Sequence, residues 1–246
     1  MKQVIKRIPL VGSMAGWIYR KLRNRNETKP TPFAGSVEYW EKRYSSGGHS
    51  GAGSCGFLAE FKADVLNSFV SSHHVQTVIE FGCGDGNQLS LAKYPTYLGF
   101  DVSSTVLSKC RELFKSDPQK SFRLMSEFAG ETADLTLSLD VIYHLVEDSV
   151  FERYMQTLFR AATRYVIVYA SDTDDNRGYE GTHVKHRKVT LWVEQHMPSW
   201  KLLEHLKNRH PYTGDYHKGS FADFFIYETT VADDSLQGSP LQSRSA

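Results

Sequence analysis

The sequence predicts an α/β fold with a mostly parallel sheet, because strand-like and helix-like segments alternate through its central part. Four compact apolar runs have the length of buried strands: residues 75–81, 97–102, 133–139 and 165–170. Segments with helical spacing of apolar residues precede and separate them, over 57–71, 87–93, 104–114 and 147–162. This alternation is typical of βαβ units whose sheet is covered by helices on both faces.

The pattern changes beyond residue 170. A polar stretch is followed by a helical pattern over 189–196 and by two late strands over 200–206 and 221–229. The run Lys29-Pro30-Thr31-Pro32 reads as a linker, because proline lacks a backbone donor and restricts the residue before it. We therefore predict three parts, which are a basic arm (1–29), a single domain (30–232) and a flexible tail (233–246).

Composition and charge limit the class of protein. The chain has 246 residues, of which 40% are hydrophobic and 23% charged, and these values exclude collagen and wholesale disorder. Residues 1–29 carry eight basic side chains and one acidic one, so the rest of the chain is slightly acidic and gives no reason to expect nucleic acid as a partner. The three cysteines have no C-x-x-C spacing, which favours a reducing compartment such as the cytoplasm.

The basic arm contains a mostly apolar run over 8–19, which is shorter than the ~20 residues needed to span a bilayer. Three interpretations stay open for it: a disordered start, a helix docked on the domain, or an amphipathic segment on an anionic membrane surface. The last of these would place a cytoplasmic protein peripherally on the inner face of the membrane.

The most informative stretch follows the first predicted strand. Gly82, Gly84 and Gly86 occupy alternate positions there, which lets the backbone turn sharply and approach a ligand closely. A dinucleotide fingerprint would need G-x-G-x-x-G, but position 87 is asparagine, and an acid, Glu80, precedes the first glycine by two residues. The spacing therefore disfavours a nicotinamide-dependent oxidoreductase.

This stretch resembles the E/D-x-G-x-G-x-G motif of the class I S-adenosylmethionine (SAM)-dependent methyltransferases. The resemblance implies a Rossmann-like, seven-stranded, mostly parallel sheet with an antiparallel last strand, and SAM as cofactor with S-adenosylhomocysteine as product. Asp101 lies 21 residues after Glu80 at a predicted strand end, where a carboxylate can accept both hydrogens of a ribose diol. Residues 134–145 resemble the family's fourth strand and the loop after it.

The resemblance also implies which residues contact SAM. An upstream aromatic segment would cap the cofactor, the loop at 126–128 would meet adenine, and Ser103 or Ser104 would cap a helix. The expected cofactor contacts are Tyr39, Trp40, Arg43, Glu80, Gly82, Cys83, Gly84, Asp85, Asn87, Asp101, Val102, Ser126, Glu127 and Asp140.

A hydroxyl acceptor needs a general base, and histidine is the first choice near neutral pH. His144 follows the segment that resembles the family's fourth strand, and the resemblance implies that it lies beside the methyl group. Asp140, His183 and His186 are the further catalytic candidates, and a role for His144 in shaping the pocket stays open. Nearby Lys185 and Arg187 are either ligands of an anionic acceptor or part of a solvated loop. No spacing of Asp, Glu, His or Cys indicates a metal site.

Several segments also resemble methyltransferases encoded with bacterial surface-polysaccharide enzymes: residues 39–44, 51–54, 137–147, 169–176 and 183–187. This resemblance implies a sugar hydroxyl or a glycan-linked group as the methyl acceptor. Another small-molecule or protein acceptor, and a non-catalytic SAM-binding module, remain as alternatives. The sequence leaves the oligomeric state open, and it has no G-x-S-x-G elbow that would indicate a hydrolase.

Overall fold

The computed structural model describes residue 33 and residues 35–231, so the predictions for the basic arm and for the tail from 232 onward lie outside the described residues. Seven strands form one sheet: β1 Thr77–Phe81, β2 Thr96–Asp101, β3 Lys120–Leu124, β4 Ala133–Leu139, β5 Ala162–Ala170, β6 Trp200–Leu206 and β7 Asp223–Thr229. Their order is β3-β2-β1-β4-β5-β7-β6. The first five strands are parallel, and β7 runs antiparallel to both β5 and β6. The predicted seven-stranded fold is confirmed.

Five α-helices accompany the sheet in the described part of the chain: α1 Ser36–Ser45, α2 Gly56–Ser72, α3 Ser104–Leu113, α4 Asp148–Arg160 and α5 Val189–His196. Alternate residues of β5 belong to two separate cores. Tyr165 and Ile167 pack with residues of α2 and α3, whereas Val166 and Val168 pack with residues of α4 and α5. This alternation follows from the two-residue period of a strand. It confirms that helices cover both faces of the sheet.

Two local predictions differ from the structure. β3 was not predicted, because this edge strand buries only Phe122 and therefore lacks the apolar run of the central strands. The helix predicted over 87–93 is only a 3₁₀ turn, Leu89–Leu91. Pro95 disfavours helical backbone in the residue before it, and β2 begins at Thr96, so the chain has no room to continue the helix.

No helix in the range 35–231 is long and apolar enough to cross a membrane. The parallel strands β1, β2 and β4 are neighbours, so their carboxyl ends lie side by side at one edge of the sheet. Ligands bind at such edges in open α/β sheets. The predicted glycine turn, Asp101 and Asp140 all follow these three strand ends.

Candidate active site

A cavity of about 420 Å³ opens at the carboxyl ends of β1, β2 and β4. Its volume is within the range of small-molecule binding sites. The cavity brings together most of the predicted residues, although they come from four separate stretches of the chain. Those that line it are Trp40, Glu80, Gly82, Cys83, Gly84, Asp85, Asp101, Val102, Asp140 and His144.

The glycine turn requires glycine for two independent reasons. Gly82, Gly84 and Gly86 have φ angles of 81°, 60° and 79°, in the left-handed region that side chains disfavour. A Cβ atom on Gly82 would lie 2.5 Å from Val141 Cγ2, and one on Gly84 would lie 2.4 Å from Ser50 Oγ. Val141 and Ser50 therefore leave no room for a side chain at positions 82 and 84.

The carboxylate of Asp101 is fixed by backbone donors. Its Oδ2 accepts a hydrogen bond from Gly84 N at 3.0 Å, and its Oδ1 accepts one from Ser103 N at 3.0 Å. Burial raises the pKa of Asp101 to about 6 despite these bonds. Ser103 Oγ accepts from Val106 N at 3.2 Å, which confirms the predicted cap of α3.

Glu80 is buried beneath the glycine turn and accepts a hydrogen bond from Tyr97 Oη at 2.8 Å. Burial raises the pKa of Glu80 to about 7, and the charge of Asp101 adds to the increase, while Tyr97 and Lys62 oppose it. Burial therefore holds the pKa of both carboxyl groups well above their ordinary values.

The raised pKa of Glu80 makes the free energy of unfolding depend on pH. The unfolded chain ionises this group near 4.5 and the folded chain near 7, so the free energy of unfolding falls as pH rises between these values. Glu80 should contribute a loss of about 3 kcal/mol, because one pKa unit corresponds to about 1.4 kcal/mol, while the raised pKa of Asp101 adds to the loss and the lowered pKa of His144 opposes it. Urea unfolding of wild type and of Glu80→Gln at pH 5 and pH 8 isolates the contribution of Glu80 as the difference between the two. Glu80→Gln keeps an acceptor for Tyr97 and should remove most of this loss. Equal pH dependence in wild type and variant would contradict the prediction.

A glycine-rich loop, defined here as residues 47–54, is hydrogen-bonded to the glycine turn. Ser50 N donates to Asp85 Oδ2 at 2.9 Å, and Asp85 N donates to Ser50 Oγ at 3.0 Å. Tyr44 Oη lies 3.0 Å from Ser50 Oγ, and Asn87 Nδ2 donates to the carbonyl of Ser54. Ser50 and Ser54 of this loop line the cavity, so the loop forms the part of its wall next to α1.

Hydrogen bonds join the amino end of α1 to the loop that follows β4. Ser36 N donates to Glu147 Oε1 at 3.0 Å, and Ser36 Oγ lies 2.6 Å from Glu147 Oε2 and 2.7 Å from the carbonyl oxygen of His144. These contacts join segments that are more than 100 residues apart. They hold Trp40, one turn further along α1, at the cavity.

Asp140 has both carboxylate oxygens occupied. Lys62 Nζ lies 2.6 Å from Oδ2, and Tyr143 Oη donates to Oδ1 at 2.7 Å. Only 1% of the Lys62 side chain is exposed. The sequence analysis missed Lys62, although Leu58, Lys62 and Leu66 follow each other at four-residue spacing on the buried face of α2. A lysine within such an apolar stripe is the sequence signal that would have identified Lys62 as a candidate site residue.

His144 lines the cavity with a defined tautomer. Its Nδ1 lies 3.1 Å from the carbonyl oxygen of His183, which can only accept, so Nδ1 carries the proton and Nε2 is left as an acceptor. Trp40 and Tyr143 pack edge-on against the ring, with centroid distances of 4.9 and 4.6 Å. Burial lowers the pKa of His144 to about 4, so the ring is neutral at pH 7.

The other two histidines lie away from the cavity lining. The His183 ring stacks between Tyr39 and His144, with centroid distances of 4.4 and 5.1 Å. His186 is buried, and its Nδ1 lies 2.6 Å from Ser171 Oγ. Both rings therefore have structural contacts that fix them, and His144 is the candidate base that faces the cavity.

Lys185 and Arg187, for which the sequence left open either binding of an anionic acceptor or a solvated loop, are paired within the protein. Lys185 Nζ and Arg187 Nη2 lie 2.6 and 2.8 Å from Asp148 Oδ1. Arg187 also donates to the carbonyl oxygens of Leu145 and Val146. These cations support the turn after β4 in this structure.

Five of the expected cofactor contacts also lie outside the cavity lining: Tyr39, Arg43, Asn87, Ser126 and Glu127. Arg43 Nε donates to the carbonyl of His49 at 2.7 Å, so its guanidinium is bound to the glycine-rich loop that follows α1. Glu127 accepts a hydrogen bond from Leu124 N at 2.7 Å and, like Ser126, is exposed. From that loop it is Met125 that lines the cavity.

Within residues 35–231, no group of three or more His, Cys, Asp or Glu side chains is arranged to hold a metal ion. The free thiols of Cys83 and Cys110 are buried, and that of Cys55 is exposed. Burial and a hydrogen bond with Cys110 raise the pKa of Cys83, so this thiol stays protonated beside the cavity.

Comparisons with known proteins agree with this geometry. Residues 79–167 match the family model described as "Methyltransferase domain". No curated protein sequence matches the chain. Among solved structures, the N-methyltransferase NodS from Bradyrhizobium japonicum WM9, in complex with S-adenosylhomocysteine, is similar with a TM-score of 0.59 at 14% identity, over 79% of this chain and 98% of that one.

Two further solved structures are similar. Magnesium protoporphyrin IX methyltransferase from Synechocystis PCC 6803 has a TM-score of 0.57 at 14% identity, over 78% of this chain and 97% of that one. An O-methyltransferase family protein from Burkholderia thailandensis has a TM-score of 0.51 at 14% identity, over 70% and 56%. Likeness at this identity establishes the fold alone.

The sheet order, the glycine turn and the matched domain together define the class: the chain contains a class I SAM-dependent methyltransferase domain. SAM is the cofactor of this class of enzyme. One observation of the cavity fits a ligand of this kind independently, since Gln88 Oε1 is buried in the lining without a hydrogen-bond partner among the described residues. A ligand ammonium group would supply the missing donor.

Proposed function

We propose that this methyltransferase O-methylates a sugar hydroxyl of a bacterial surface glycan, with His144 as general base. The observation that carries the proposal is the state of His144 in the cavity. Its Nδ1 is fixed by the carbonyl of His183, which leaves Nε2 as an unprotonated acceptor on a ring that lines the cavity. A hydroxyl is a poor nucleophile until such a group accepts its proton.

We propose further that SAM lies across the glycine turn. Asp101 would accept hydrogen bonds from the ribose hydroxyls, because each of its oxygens uses only one acceptor position on the backbone. Gln88 Oε1 would accept from the ammonium group. Val102 and Met125, which line the same cavity, offer apolar surface for the adenine.

Replacing Asp101 by alanine tests this placement. We expect SAM affinity to fall by about 1–3 kcal/mol, because the ribose hydroxyls lose their acceptor. Isothermal titration calorimetry with SAM measures the change. Asp134→Ala is a suitable control, because Asp134 is a carboxylate at the amino end of β4 that accepts hydrogen bonds from Gln76 N and Thr77 N and does not line the cavity. Unchanged affinity in a folded Asp101 variant would remove this residue from the site.

The chain's own residues account for orientation and proton transfer. Bound SAM supplies a methyl group on a sulfonium, which is a good leaving group, so the main task is alignment of the acceptor. His144 Nε2 accepts the hydroxyl proton, and the nearby charge of Asp140 favours the resulting cation. Lys62 and Tyr143 hold Asp140 in place for this role.

The class of acceptor needs support beyond the fold. The names of the similar structures include an N-methyltransferase, a magnesium protoporphyrin methyltransferase and an O-methyltransferase family protein, so this fold serves varied acceptors. Support for a glycan comes from the segments that resemble methyltransferases of surface-polysaccharide synthesis. Two of them, 137–147 and 183–187, meet at His144 in the structure.

Transfer of a labelled methyl group tests the acceptor. The purified chain is incubated with SAM carrying a ¹³C methyl group and with surface glycan from source cells that lack the gene. NMR and linkage analysis should place the label on an ether oxygen of one sugar. Label on an amine or a protein would contradict the sugar assignment, and binding of SAM without transfer to any acceptor would favour a non-catalytic module.

We also propose that the basic arm, residues 1–29, attaches the enzyme peripherally to an anionic membrane. The support is its charge, with eight basic side chains against one acidic one, because each basic residue near such a surface contributes roughly 1 kcal/mol. Co-sedimentation with anionic vesicles, comparing the full chain with one that starts at Thr31, tests it. Binding should be lost on truncation and at high salt. Equal binding of both chains would contradict the proposal.

A further inference from the structure

Two long connections meet outside the cavity, namely the loop 171–188 between β5 and α5 and the loop 207–222 between β6 and β7. Loops longer than roughly 12–15 residues in a compact domain usually carry a function. The two loops are joined by the hydroxyl groups of Tyr179 and Tyr216, which lie 2.7 Å apart. Neither connection is explained by binding of the cofactor.

These loops present a tyrosine patch, defined here as Tyr179, Tyr212 and Tyr216. The rings of Tyr212 and Tyr216 stack, with centroids 4.6 Å apart and an interplanar angle of 28°. They remain 36% and 45% exposed, so part of each ring is open to a ligand. Aromatic rings held in a fixed orientation at the surface mark a binding site more often than a random surface does.

The tyrosine patch lies at the same edge of the sheet as the cavity, because loop 171–188 follows β5 and loop 207–222 leads into β7, whose Asp223 pairs with Ala170. Tyr216 contacts Phe221 at a centroid distance of 6.0 Å, and Phe221 contacts Tyr143 at 5.0 Å. Tyr143 in turn donates to Asp140, which lines the cavity. Tyr143 is buried, so these contacts anchor the patch to the wall of the cavity through the core.

The chemistry of the patch favours a neutral, amphipathic ligand. Tyrosine combines an apolar ring face with a hydroxyl group at its edge. Asp215 and Lys218, which flank Tyr216, lie 3.5 Å from each other, so the rim offers a paired carboxylate and ammonium and not a cationic pocket for phosphate. A pyranose has the matching surface, because its faces carry C–H groups and its edge carries hydroxyls.

We propose that the tyrosine patch is an acceptor subsite that binds a pyranose ring of the glycan, next to the sugar that is methylated. This inference rests on the proposed function and deepens it, since it requires an acceptor longer than one sugar. The rings of Tyr212 and Tyr216 pack against the sugar face, and Tyr179 fixes the ring of Tyr216 through its hydroxyl.

Binding to an array of bacterial surface oligosaccharides tests the subsite without relying on turnover. The full chain is applied with S-adenosylhomocysteine, and wild type is compared with Tyr212→Ala, Tyr216→Ala and Tyr216→Phe. Each alanine variant should lose roughly 3–10-fold in glycan affinity, which is the range for one aromatic contact, while SAM affinity is unchanged. Tyr216→Phe should lose less, because the ring is kept. Leu203→Ala changes a side chain of similar exposure on β6 and should behave like wild type.

Three outcomes separate the inference from the proposed function. Loss of glycan binding confined to the alanine variants supports both. Wild-type glycan binding that survives in both alanine variants overturns the subsite and leaves the glycan acceptor standing. If the wild-type chain binds no oligosaccharide while the labelled methyl group goes to an acceptor that contains no sugar, both the subsite and the glycan acceptor are overturned.

Discussion

His144→Ala should lower methyl transfer by about 10²–10⁴-fold while SAM affinity stays within a factor of about two, because only the proton acceptor is removed. The Nδ1 proton is held by the carbonyl of His183, so Nε2 is the atom that meets the acceptor hydroxyl. Single-turnover rates with labelled SAM, together with calorimetric SAM affinity, measure the two effects separately. In the wild type, the rate should fall at low pH only as the pH approaches the His144 pKa of about 4, where the protonated ring can no longer accept.

His196→Ala is the matched control for this variant. His196 Nδ1 also lies 2.8 Å from a backbone carbonyl, that of Trp192, and its ring also stacks on an aromatic side chain, but it is at the end of α5 and away from the cavity. Its removal should leave turnover unchanged. Normal turnover in His144→Ala combined with an inactive His183→Ala would move the base to the later loop.

The central part of the fold could be predicted because its signals are local. The buried strands are nearly continuous apolar runs, and the turn after β1 needs three left-handed residues that only glycine supplies without strain. Asp101 could be placed because it ends the next strand along the chain, and parallel strands bring their carboxyl ends together. These three features were enough to locate the cavity.

The rest of the site depends on contacts between segments far apart in the chain. Lys62 reaches Asp140 across 78 residues, and Ser50 reaches Asp85 across 35. No spacing rule predicts such pairs. The loop 171–188 is irregular, so periodicity could not decide which of its histidines would face the cavity, and the structure directs the rings of His183 and His186 to internal contacts.

Asp140→Asn should destabilise the protein by about 3 kcal/mol, because it leaves the ammonium of Lys62 buried without its hydrogen-bonded carboxylate. Asparagine tolerates the left-handed backbone of residue 140, where φ is 60°, so the change tests charge more than backbone strain. Urea unfolding at pH 7 measures the loss. Glu112→Gln, which breaks the exposed pair with Lys115, should leave the free energy of unfolding unchanged.

The double variant Lys62→Met/Asp140→Asn separates stability from catalysis. Removing both charges should restore the free energy of unfolding to within about 1 kcal/mol of wild type, because a neutral pair of similar volume replaces a buried ion pair at little net cost. Turnover should nevertheless stay at least about tenfold below wild type, since losing even ~1.4 kcal/mol of stabilisation of the His144 cation has that effect. A double variant that regains stability and full turnover together would show that Asp140 is needed only for folding. One that regains neither would show that Lys62 and Asp140 are not coupled as the 2.6 Å contact implies.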